Sequence, residues 1–118
     1  MRTIIIIRPH GPIEFRTIPQ DVVPLETLQT AVGGYIEVVR IKDEKIMIVN
    51  EEGKLNGSSY NELASLFYAD AHPHDPDVIF GTAVIAAENG EEIEGLPEDL
   101  VDEIVSDLEE NGVEVTRT

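Results

Sequence analysis

The chain has no cysteine and no tryptophan among its 118 residues, six aromatic side chains in all, and only eight lysines and arginines. Without cysteine there are no disulfides, no thiolate metal sites and no thiol nucleophiles, which suits a reducing compartment. The scarcity of aromatics leaves the core to isoleucine, valine and leucine. Long hydrophobic runs are missing too. The four isoleucines Ile4–Ile7 are too few for a signal-peptide core and far too few to cross a bilayer. These absences predict a soluble, cytoplasmic protein.

What is present is aliphatic and acidic. Hydrophobic residues make up 42% of the chain, enough for one core in a single domain over residues 1–118. The net charge is −16 and it is unevenly spread. Residues 1–54 carry seven Lys/Arg against eight Asp/Glu, whereas residues 55–118 carry one base, Arg117, against sixteen acids. Such a one-sign stretch predicts a strongly negative face. Direct nucleic-acid binding is disfavoured, because neutralising phosphates takes clustered Lys and Arg. Anionic membranes are disfavoured by the same sign. Basic protein surfaces are the complementary partners, and solubility alone is the plainer explanation of the same acids.

Hydrophobic patterning and turn residues divide the chain. Residues 3–7 and 13–18 read as strands joined by His10-Gly11-Pro12, the second alternating apolar and polar. Pro24 opens a short helix with Leu25, Leu28 and Val32 on one face, stopped by Gly33-Gly34. The β-branched runs 35–41 and 45–50 form a hairpin. Ser59-x-x-Glu62 has the form of a capping box, followed by a helix ending near Tyr68. Residues 71–77 form a loop and 78–87 a strand with a bulge at Gly81. Residues 88–95 form an acidic loop. Pro97 begins a last helix reaching about Asn111, with Gly112 as its left-handed terminator, and Val113–Val115 adds an edge strand. Five to six strands and three helices without regular alternation predict an α+β fold: a mostly antiparallel sheet covered on one face by the helices.

The last helix concentrates the charge. Leu100, Val101, Ile104, Val105 and Leu108 form an apolar stripe, opposite Glu98, Asp99, Asp102, Glu103, Asp107, Glu109 and Glu110. A helix of about 22 Å then carries a carboxylate about every 3 Å. Phosphates on one DNA strand are spaced by about 3.4 Å. Acids at 107, 109 and 110 oppose the helix dipole, and no base three or four residues away offsets them. Helix stability alone does not select this pattern; a basic partner or solubility does.

Catalytic and cofactor motifs are lacking. His72, His74 and Asp75 resemble metal ligands, but their spacing matches no established zinc site, and proline-rich loops gather polar residues anyway. No phosphate loop or dinucleotide fingerprint is present, so neither an enzyme nor a cofactor is expected.

The segments Gly33-Gly34-Tyr35-Ile36-Glu37-Val38-Val39, Val49-Asn50-Glu51-Glu52-Gly53-Lys54-Leu55-Asn56-Gly57, Asn61 and Gly81-Thr82-Ala83-Val84 resemble a family of small uncharacterised proteins of bacteriophages and bacterial mobile elements, over roughly residues 25–87. The resemblance implies a non-enzymatic accessory protein acting in the cytoplasm of a bacterial host. Its expected role is to bind and inhibit a host defence factor with a basic surface, a nuclease or restriction complex, by nucleic-acid mimicry. The alternative is sequestration of a small-molecule nucleotide signal in a pocket built from Tyr35, Asn50, Glu51, Glu52 and Asn61.

Overall fold

The computed structural model describes residues 2–55, 57–75 and 77–116. Among the described residues nine elements follow one another: β1 (Arg2–Ile7), β2 (Glu14–Ile18), α1 (Leu25–Val32), β3 (Ile36–Arg40), β4 (Lys45–Asn50), α2 (Glu62–Ala71), β5 (Ala83–Asn89), β6 (Glu92–Glu94) and α3 (Glu98–Glu110). The strands form one six-stranded antiparallel sheet in the order β2-β1-β5-β4-β3, with β6 paired to the end of β5. The expected α+β class, strand number and helix number are all observed.

The helices are not on one face. Ile4, Ile6, Ile46, Ile48, Val84 and Ala86 pack with Leu28 and Val32 of α1. Their neighbours in sequence, Ile5, Ile7, Ile85 and Ala87, pack with Val101, Ile104 and Leu108 of α3 on the opposite face. Helix α2 joins α3 there through Ala64, against Met47, Val49 and Ala83. The reason is visible in the strands. Successive side chains point to opposite faces, so a strand covered on one side alternates, whereas one covered on both is apolar throughout. Ile4–Ile7, Ile46–Val49 and Ala83–Ala87 are unbroken apolar runs and all are buried.

Several boundaries also differ from the sequence reading. Residues 88–95 are not a loop: Asn89 pairs with Glu92 across Gly90-Glu91, a two-residue hairpin with Gly90 at φ +64°. Strand β5 begins at Ala83 rather than 78, and residues 113–116 form no strand. Val113 and Val115 instead pack beside α3. In α1, Leu28 and Val32 are buried but Leu25 is exposed in the first turn. Helix α2 continues past Tyr68 to Ala71, and it starts from Asn61 rather than from a Ser59 capping box.

Candidate functional site

Helix α3 begins after Pro97, whose missing N–H is no loss at that position, and buries Val101, Ile104 and Leu108. Glu98, Asp99, Asp102, Glu103, Asp107, Glu109 and Glu110 are exposed, and the last turn contains no basic residue. These seven carboxylates do not have equal roles. Lys45 on β4 has a side chain only 6% exposed, and its Nζ donates to Glu103 Oε1 at 2.7 Å. Asp43 stands 3.8 Å from the same ammonium. A lysine taken out of water needs such a partner, so Glu103 ties α3 to the sheet. The sequence reading, which searched only three and four residues along the helix, missed this base. Lys42 donates to the Asp70 carboxylate at 2.9 Å, which raises the lysine's pKa, with a smaller contribution across elements from Asp107.

The same recombination extends over the molecule. Every Lys and Arg among the described residues lies within ion-pair distance of a carboxylate. Five of them reach into the acidic half of the chain: Arg2 to Glu94, Arg40 to Glu88, Lys42 to Asp70, Lys45 to Glu103 and Lys54 to Asp77. The bases are thus consumed internally. Asp99, Glu109 and Glu110 pair with no Lys or Arg among the described residues.

The five residues expected to share a pocket do not all meet: the Glu51 N–H donates to the Tyr35 carbonyl at 2.9 Å and Asn50 is bonded to Glu52, whereas Asn61 lies on a different groove. Asn61 is 1% exposed and its side chain is fully occupied. Its Nδ2 donates to the carbonyls of Ile7 at 2.9 Å and Gly81 at 2.8 Å, while Oδ1 accepts the Ala64 N–H at 3.1 Å as the cap of α2. One side chain therefore joins β1, the chain before β5 and a helix start. Asn50 is also structural: Nδ2 donates to Val32 O at 3.1 Å and Oδ1 accepts the Glu52 N–H at 2.7 Å. Gly34 lies so close that an added Cβ would sit 2.9 Å from Asn50 Nδ2, which accounts for the second glycine after α1. Tyr35 is 73% exposed, and Glu51 and Glu52 are exposed on the turn after β4.

A groove of about 510 Å³ runs beside β3 and β4, and of the five it includes only Asn50 and Glu51. Tyr68 and His72 of the α2 terminus line it with their rings stacked 4.6 Å apart. Partial burial, then the Asp75 carboxylate accepting from its hydroxyl at 3.3 Å, raises the Tyr68 pKa. Asp77 is held below the usual carboxylate range by hydrogen bonds from Lys54 and from the Val78 N–H. His72 Nε2 is 2.6 Å from the Arg40 carbonyl, which makes that nitrogen the donor. His72 is thus engaged with β3, His74 is exposed, and no group of three His, Asp or Glu converges as metal ligands among the described residues. Neither the Lys54–Asp77 pair, 23 residues apart in the chain, nor a role for Tyr68 was foreseen from sequence.

No helix among the described residues is long and apolar enough to cross a membrane. No curated protein and no solved structure matches the chain. Residues 1–109, from β1 through nearly all of α3, match the family described as Domain of unknown function (DUF3846), and the chain belongs to that family.

Proposed function

We propose that this protein is a non-enzymatic binding module whose acidic outer face docks onto a basic surface of a partner protein. The distribution of charge carries this reading. The described bases are all engaged in internal ion pairs, while Asp99, Glu109 and Glu110 stand outward on a helix whose last turn has no base. Glu109 and Glu110 oppose the helix dipole, a cost of about 0.3–1 kcal/mol each that folding does not recover locally. The likeness to small phage and mobile-element proteins supports a host nuclease or restriction complex as the partner class, since DNA-facing surfaces are basic. A nucleotide pocket has less support, because Tyr35, Asn50 and Asn61 do not line a common cavity.

The test is capture from bacterial lysate at low salt followed by washes of rising salt, with wild type beside an Asp99→Lys/Glu109→Lys/Glu110→Lys variant. Glu103 is left intact because it holds Lys45. The expected result is a basic, nucleic-acid-handling protein retained near one to one by wild type, released by salt and lost from the variant. Equal retention by the variant would overturn the reading.

A further inference from the structure

The sheet ends at β3, and that edge is open. The Tyr35 carbonyl accepts from the Glu51 N–H at 2.9 Å, and the Ile41 N–H donates to the Lys45 carbonyl at 3.2 Å. These bonds turn the odd-numbered backbone groups of β3 toward β4, so Ile36, Val38 and Arg40 direct theirs away from the sheet. Among the described residues one of these outward groups has a protein partner, the Arg40 carbonyl that His72 caps. The N–H and C=O of Ile36 and Val38 remain available.

Like β2, strand β3 carries two charged residues, Glu37 and Arg40, but Arg40 is tied to Glu88, β-branched Val38 and Val39 sit between the two charges, and no proline blocks pairing there. Beside it lies the 510 Å³ groove, with Val39, Val49 and Ile79 in its lining and Glu37 and Glu51 among its polar groups. The bases there, Arg40 and Lys54, are tied to Glu88 and Asp77, which leaves the groove net negative. An open edge next to a groove that takes alternate side chains is the arrangement used for strand addition.

We propose that β3 captures an extended segment of a partner protein as an added strand, with its apolar side chains over Val39 and Val49 and its basic ones beside Glu37 and Glu51. A second copy of the chain is disfavoured as occupant by the −16 charge each would bring. The surface is separate from α3, and the inference stands or falls independently of the acidic helix.

The probe is an acetylated, amidated octapeptide of alternating lysine and valine, titrated into the ¹⁵N-labelled full chain with amide exchange followed by NMR. In the free protein the Ile36 and Val38 amides should exchange fast. Saturating peptide should slow both by about tenfold or more. Val38→Pro removes only an outward donor, and Glu37 before it is already extended, as proline requires. It should weaken the peptide by roughly tenfold or more with core protection unchanged. If the peptide leaves Ile36 and Val38 exchange unaltered and shifts α3 amides instead, the inference is wrong, and this wild-type reading holds even if the proline variant fails to fold. Concentration-dependent protection of the two amides without peptide would assign the edge to a second copy and equally overturn it.

Discussion

Lys45 and Lys54 lie nine positions apart, and each holds a carboxylate from the acidic half of the chain, yet they do different work. Lys45 is withdrawn from water, its side chain 6% exposed against Glu103, whereas the side chain of Lys54 is 53% exposed against Asp77. A buried ammonium without its partner is costly to the fold, while an exposed pair contributes about 0–1 kcal/mol. The acids of this protein therefore fall into two groups. A few hold the fold through bases supplied by the first half of the chain, and others, Asp99, Glu109 and Glu110 among them, stand in solvent.

That division can be broken or sharpened experimentally. The largest effect should come from a buried group without charge. Asn61→Ala removes two donors to buried carbonyls and the cap of α2 together, and should destabilise by about 2–4 kcal/mol in urea unfolding. A loss under ~1 kcal/mol would mean that burial is not what separates the groups. Next comes Glu103→Ala, which leaves Lys45 with Asp43 alone at 3.8 Å. Because Glu103 is itself half-exposed, the expected loss is about 1–3 kcal/mol, well above that of the same change at Asp99.

The smallest effect belongs to the exposed pair. Asp77→Asn should cost no more than about 1 kcal/mol near neutral pH. The folded state lowers the Asp77 pKa below its ordinary 3.8, so its contribution is present above that value and is lost as pH falls through the folded pKa. The gap between wild type and Asp77→Asn in thermal melts should accordingly close as pH drops below ~4. A gap that widened with acid would reverse the assignment.

Much of the fold was legible because it depends on local signals. Gly33 and Gly112 end their helices with φ of +81° and +79°, as a left-handed terminator must, and the hairpin of β3 and β4 was visible in its β-branched runs. Two signals were present but misread. The unbroken apolar runs of β1, β4 and β5 indicate helices on both faces, and Asn89-Gly90 indicates a hairpin where acidity suggested a loop. Of the candidate site, the outward acids of α3 were legible because the apolar stripe at 101, 104 and 108 sets the opposite face.

The sequence by itself determined the α+β class, the aliphatic core and the overall negative charge, since periodicity, turn chemistry and composition are carried by neighbouring residues. Only the tertiary structure decided which acids are spent and which are free. Glu103 and Lys45 are 58 residues apart, and Asn61 finds Ile7 across 54. Pairings over such distances depend on strand order and burial, and no window of sequence contains them.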